Sequence, residues 1–221
     1  MLFRSLTNII DWAKANTRST IWSCLAAHAA VLYLDGIERQ RLETKCSGIY
    51  DCTSVSAHWL TNNLPSPFKV AHSRLNELHT DDLMAKGYQL LSLSPKAGVD
   101  AFAKDFGSQF IFFQGHPEYE ALSLEREYLR DISRFLAGER DSYPGIPIGY
   151  FDAETEQKLI AFAARAQSER RPALSDELPD RTVRDDLTTD AAATVMFRNW
   201  IDFLTESKRA VSADTNLSPG D

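Results

Sequence analysis

Thr20-Ile21-Trp22-Ser23-Cys24-Leu25-Ala26-Ala27-His28-Ala29-Ala30-Val31-Leu32-Tyr33-Leu34 is the stretch that decides the fold. A short apolar run over 19–23 meets an alanine-rich run that ends at Gly36. The first part reads as a buried strand, and 25–35 reads as a helix stopped by the glycine. A strand that turns straight into a helix holds its turn residue out at the top of a sheet, as a nucleophile elbow does. Cys24 occupies that turn. The helix N-terminus below it favours a thiolate and offers N–H groups to an oxyanion.

Far downstream, Phe110-Ile111-Phe112-Phe113-Gln114 reads as a second buried strand that runs into Gly115-His116-Pro117-Glu118-Tyr119. His116 lies just past a strand end, at the sheet edge where α/β proteins build their sites. Glu118 follows two residues later, which in extended backbone puts both side chains on one side. A carboxylate there fixes the imidazole tautomer and stabilises its charged form. Cys24, His116 and Glu118 are thus the parts of a thiol acyl-transfer site. Each also has a plainer reading: a free cysteine after an apolar strand is most often a small buried hydrophobe, and the His–Glu turn reads equally as a solvated polar loop.

Around these segments, 3–15 reads as a helix with Leu6, Ile9, Ile10 and Ala13 on one face. A strand is expected near Gly48-Ile49-Tyr50, a loop over 62–67, a short strand at Phe68-Lys69-Val70 and another over 88–93. Residues 97–103 suit strand or helix. Helices are expected over 121–137, 153–168 and 189–206, the last with Val195, Phe197, Trp200, Ile201 and Leu204 inward. The polar, proline-containing segment 169–188 reads as an exposed loop or mobile linker. Residues 1–210 read as one α/β domain and 211–221 as a disordered tail.

With 221 residues, 43% of them hydrophobic and 25% charged, the chain has the composition of a globular protein with a full core. A net charge of −7 argues against nucleic-acid binding. No apolar run is long enough to span a membrane. Three cysteines without CxxC spacing argue against a disulfide framework or a zinc site, and a reducing cytoplasm suits them. Cys46 and Cys52 read as structural. His28, one turn past Cys24, reads as a packing or pocket-edge residue. Ser73 and Arg74 read as an exposed loop or as binders of a polar or carboxylate ligand. Glu127 and Arg130 read first as a surface i, i+3 ion pair.

Taken together, these motifs resemble the homoserine O-acyltransferases of the homoserine O-succinyltransferase type. The likeness runs through Arg18-Ser19-Thr20 and Cys24 with its alanine-rich helix, residues 33–37, Lys45 with Gly48, and Ala71-His72-Ser73-Arg74. It continues through Gly115-His116-Pro117-Glu118-Tyr119, Glu127-Tyr128-Leu129-Arg130-Asp131 and Phe197-Arg198-Asn199-Trp200-Ile201. It covers most of 3–206 and thins over 138–171.

The resemblance implies an α/β fold of the class I glutamine amidotransferase-like (flavodoxin-like) kind, with a mostly parallel sheet flanked by helices. It also implies that early strands and an oxyanion-hole loop belong to a family segment ahead of this chain. Cys24 would carry the acyl group from succinyl-CoA, or from acetyl-CoA, to the hydroxyl of homoserine. His116 would move the protons and Glu118 would orient it. Arg130 would hold the homoserine carboxylate, with Ser73 and Lys45 lining the pocket. No cofactor beyond the acyl-CoA co-substrate is implied, and a homodimer is. Two other readings stand beside this one: a Cys–His glutaminase or hydrolase of the same fold, and a catalytically impaired paralogue that only binds.

Overall fold

The computed structural model describes residues 2–187 and 189–216. Ser19–Ser23 forms β1, the turn at Cys24 follows, and Leu25–Asp35 forms helix α2, preceded in the chain by α1 (Leu2–Asn16). Gly36 closes α2 in the left-handed conformation, φ 71°, and returns its N–H to the Leu32 carbonyl, as a helix C-terminus requires. The remaining strands are β2 (Gln40–Ser54), β3 (Phe68–Glu77), β4 (Gln89–Ser94), β5 (Gly98–Asp105) and β6 (Gln109–Phe113). They form one sheet in the order β1-β6-β5-β4-β2-β3. The short helix α3 is Thr80–Ala85, and α4 (Ser123–Leu136), α5 (Ala153–Ser168) and α6 (Thr189–Asn216) follow the last strand.

The α/β architecture is as expected, but the pairing of strands is not mostly parallel. Only β1 and β6 run parallel; β2–β3, β2–β4, β4–β5 and β5–β6 are antiparallel. The reason is the length of the links. Residues 95–97 and 106–108 are all that separate β4 from β5 and β5 from β6. Such links can only reverse the chain, whereas a parallel crossover needs a dozen or more residues.

Strand β6 is buried on both faces, which explains its unbroken apolar run. Phe110 and Phe112 point to α1 and α2, where they pack with Trp22, Ala27, Ala30 and Val31. Ile111 and Phe113 point the other way, to Ala192 and Met196 of α6. Phe112 faces Phe102 of β5 in register and stacks on it at 4.9 Å. A separate apolar cluster joins α4 to α5 through Ile132, Phe135, Leu159 and Phe162.

Several expectations change. The strand reading of 97–103 holds from Gly98 onward, in β5, whereas β2 is far longer than Gly48–Tyr50 suggests. Residues 169–187 are largely exposed but not loose: they contain a 3₁₀ turn, Pro172–Glu177, with Leu174 fully buried. Val183 bridges to Phe151, and Arg181 pairs with Glu125 at 2.7 Å. Helix α6 turns Ala192 and Met196 inward, while Phe197 and Ile201 are exposed. The helix runs to Asn216, past the expected boundary at 206; the last part of the expected tail, 217–221, lies outside the described residues. No helix among the described residues is long and apolar enough to cross a membrane.

Gly48 locks the segment after α4 to the sheet. Ile49 N–H donates to the Ile148 carbonyl and Ile148 N–H to the Ser47 carbonyl, both at 2.9 Å. A Cβ on Gly48, whose φ is +146°, would stand 2.5 Å from Ile148 N. Gly48→Ala is therefore expected to lower unfolding free energy by about 1–3 kcal/mol. Urea denaturation of the two proteins measures it, and an unchanged midpoint would remove this role.

Candidate active site

The parallel pair β1–β6 brings the two halves of the site together. Ser23 is in register with Phe113, so both strands end at one edge. Cys24 N–H continues the ladder by donating to the Phe113 carbonyl at 2.8 Å. Cys24 has φ 48° and ψ −111°, a left-handed backbone that a side chain rarely adopts. Such conformations typically cost about 1–3 kcal/mol and persist only where their surroundings enforce them. Here the ladder bond on one side and the His28 N–H to Cys24 carbonyl bond on the other enforce it. The first-turn N–H groups of α2 have no intrahelical acceptor and remain as donors beside the half-buried thiol.

After β6, Gln114 N–H donates to the Asp100 carbonyl and His116 N–H to the Ala71 carbonyl, each at 2.7 Å. His116 is buried and stacks on Tyr119, ring centres 4.1 Å apart. Its Nδ1 lies 2.8 Å from Glu118 Oε1, to which Ser23 Oγ also donates at 3.1 Å. With Nδ1–H committed to the carboxylate, Nε2 is the nitrogen free for chemistry. Burial works against protonation of His116, but hydrogen bonding to Cys24 and Glu118 and their charges outweigh it and raise the pKa to about 9. Glu118 is pushed down in spite of its own burial, chiefly by its bond to His116. His116 thus interacts with both of the other residues singled out in the sequence, Cys24 and Glu118.

Lys45, Ser73 and Arg130 also meet, in a neighbouring cleft of about 440 Å³. Glu127 is its hub. It accepts hydrogen bonds from Ser73 Oγ, from Tyr119 Oη at 2.9 Å and from Lys45 Nζ at 3.4 Å. Burial opposes ionisation of Glu127, yet the Ser73 bond and the Lys45 charge hold its pKa below the usual carboxylate value. Arg130 does not pair with Glu127 as an i, i+3 partner. It bonds Asp131 at 3.2 Å, and the same carboxylate also takes Lys45 at 3.2 Å and Arg140 at 3.3 Å. Six cationic side chains, Arg41, Lys45, Arg74, Arg130, Arg134 and Arg140, line the cleft against two acids, Glu127 and Asp131, and leave it net positive. Tyr119 joins the two halves, with its ring on His116 and its hydroxyl on Glu127.

Arg74, which also lines this cleft, and His28 are both tied into the fold. Arg74 is buried, with its guanidinium bonded to the Asn76 and Ala97 carbonyls and to Glu77. His28 bonds Gln114 Oε1 at 3.0 Å, and burial lowers its pKa to about 4. It thereby ties the helix after Cys24 to the residue before Gly115. Among the described residues, the metal-type donor group is Cys52, His72 and Asp100, fully buried, with donor atoms within 4.8 Å of one another.

The family model described as "HTS: Homoserine O-succinyltransferase" matches residues 1–211. The chain belongs to the homoserine O-succinyltransferase family. It is 55% identical over 201 residues to a homoserine O-succinyltransferase of Bradyrhizobium japonicum, an alignment covering 91% of this chain and 62% of that protein. It is 56% identical over 195 residues to one of Rhodopseudomonas palustris, covering 87% and 59%. The chain therefore spans about three-fifths of the length of the curated relatives it matches. Among solved structures, a glutamine amidotransferase of Methylobacillus flagellatus superposes with a TM-score of 0.54 at 16% identity, covering 91% of this chain and 69% of that one. That likeness establishes the amidotransferase-like fold.

Reading the sequence alone did not single out Tyr119, Asp131 or Gln114 for these roles. Tyr119 sits three residues past His116 in a tight turn, a spacing that permits the stacking. Asp131 adjoins Arg130 on a helix, where neighbours diverge in direction, so no sequence spacing announces their bond.

Proposed function

We propose that this chain transfers a succinyl group from succinyl-CoA to the hydroxyl of homoserine through a thioester on Cys24. The reading is supported above all by one observation: Cys24, His116 and Glu118 meet at the shared end of β1 and β6, with a net-positive cleft joined to them by Tyr119.

An imidazolium beside a thiol is the arrangement that generates a thiolate. The Cys24 thiolate attacks the thioester carbonyl, the new C–S bond forms, and CoA leaves as its thiol with the proton from His116. The free first-turn N–H groups of α2 face the oxygen on which negative charge develops. His116 Nε2 then takes the hydroxyl proton of homoserine as its oxygen attacks the acyl-Cys24 carbonyl, and Cys24 departs as thiolate. The acyl group is carried and the proton is passed on, so the cycle returns to its start with no resident cofactor.

Homoserine brings a carboxylate, and the cleft brings Arg130 with a half-exposed guanidinium. Paired hydrogen bonds from a guanidinium suit a carboxylate better than a point charge does. Arg130→Ala is expected to raise the KM for homoserine by roughly 10- to 100-fold while acylation of Cys24 in the absence of homoserine keeps its rate. Steady-state kinetics at varied homoserine, with pre-steady-state acylation alongside, separates the two. An unchanged KM would reject the carboxylate role.

A further inference from the structure

Beneath the turn that carries His116 lies a second imidazole–carboxylate pair. His72 of β3 and Asp100 of β5 have no exposed side-chain surface, and Nε2 stands 3.4 Å from Oδ1. Neither ring nitrogen nor Oδ1 has a hydrogen-bond partner, whereas Oδ2 accepts from Ser92 Oγ at 2.7 Å. Polar groups so placed stabilise a core less than apolar side chains of the same volume would. Stability therefore does not account for the pair, but its position does.

Gly115 rests directly on it. A Cβ at Gly115 would stand 3.0 Å from His72 Nε2, 2.7 Å from Val70 Cγ1, and against Asp100 Oδ1. The residues on either side of Gly115 are tied to the same two strands: Gln114 N–H to the Asp100 carbonyl, His116 N–H to the carbonyl of Ala71, which precedes His72. The pair is thus the floor on which the catalytic turn sits, clamped at both ends.

We propose that His72 and Asp100 are positioning residues for His116: packed under Gly115, they set the height of the turn from which the imidazole reaches Cys24. This rests on the reading of Cys24 and His116 as nucleophile and base. Its test therefore uses no acyl donor. The readouts are the rate of Cys24 alkylation by iodoacetamide at pH 7, followed by peptide mass, and the titration of His116 by NMR, both on the full chain.

His72→Leu removes the imidazole at similar volume and leaves the Asp100 carboxylate buried without its partner. It is expected to melt below the wild-type temperature, to slow Cys24 alkylation about tenfold, and to move His116 down from its pKa of about 9. His72→Asn, which keeps a polar ring-edge substitute, is expected to restore part of both. If His72→Leu does not fold, Ser92→Ala loosens Asp100 alone and is expected to shift both readouts the same way by less. A folded variant with wild-type alkylation and wild-type His116 titration would overturn the proposal. So would one equivalent of a transition metal on the purified protein that is lost in Cys52→Ala, since the pair would then be metal ligands. Failure of wild-type protein to take an acyl group from succinyl-CoA would instead count against the transferase reading and leave these two readouts intact.

Discussion

Cys24→Ala is expected to accept no acyl group and to lose turnover by roughly 10⁴-fold or more. The loss follows from position as well as chemistry. Cys24 alone sits between the N-terminus of α2 and His116, and no other described cysteine shares that setting: Cys52 is buried in the sheet, and Cys46 lies on β2. Burial pushes the thiols of Cys46 and Cys52 up, away from reactivity. The same position carries a stability signature. A backbone at φ 48° and ψ −111° suits glycine far better than cysteine. Cys24→Gly is expected to be as inactive as Cys24→Ala yet more stable than wild type by about 1 kcal/mol. Denaturation and turnover measured on the same preparation give both numbers. A less stable Cys24→Gly would mean that the turn is not strained by its side chain.

Glu118→Gln has the second-largest expected effect, a loss of about 10²- to 10⁴-fold in acyl transfer. Glutamine keeps the size of the side chain but removes the charge that Nδ1–H and Ser23 Oγ share. It can also present its amide N–H₂ to Nδ1 and select the wrong tautomer. Burial, which lowers the pKa of His116, is then less well opposed, so the value falls from about 9. The effect on stability has a defined sign. The folded pKa of His116 lies above its ordinary 6.5, so its contribution is complete below 6.5 and disappears as pH rises through about 9. The folded pKa of Glu118 lies below its ordinary 4.5, so its contribution is complete above 4.5 and disappears as pH falls. Wild type should exceed Glu118→Gln in stability most between about pH 5 and 6.5, with the gap closing toward about pH 9 to 10. A pH-independent gap would mean that Glu118 acts through packing alone.

The elbow was legible in the sequence because two local signals coincide there. An apolar pentapeptide and a glycine-stopped alanine run have different periods, and their junction falls on Cys24. The helix bounds 25–35 and 153–168 match the structure for the same reason: Gly36 ends one, and Asp152 begins the other by accepting from Thr155 N–H at 2.7 Å. The direction of the strands followed instead from the fold that the resemblance implied, and the short links at 95–97 and 106–108 overrule it. On α6, Trp200 packs inward as expected, but Phe197 and Ile201 stay exposed because the sheet accepts the smaller Ala192 and the pliable Met196. Segment 169–188 looked loose because its composition is polar, yet a few residues, Leu174 and Val183 among them, anchor it. The pair His72–Asp100 left no local trace, since its partners come from β3 and β5 and meet only in the folded sheet.

The most direct test of the central claim is the intact mass of the chain after incubation with succinyl-CoA and without homoserine. The proposal predicts one added succinyl group, absent in Cys24→Ala and discharged when homoserine is supplied. A folded protein that gains no mass, or gains it equally in Cys24→Ala, would contradict Cys24 as the carrier of the acyl group.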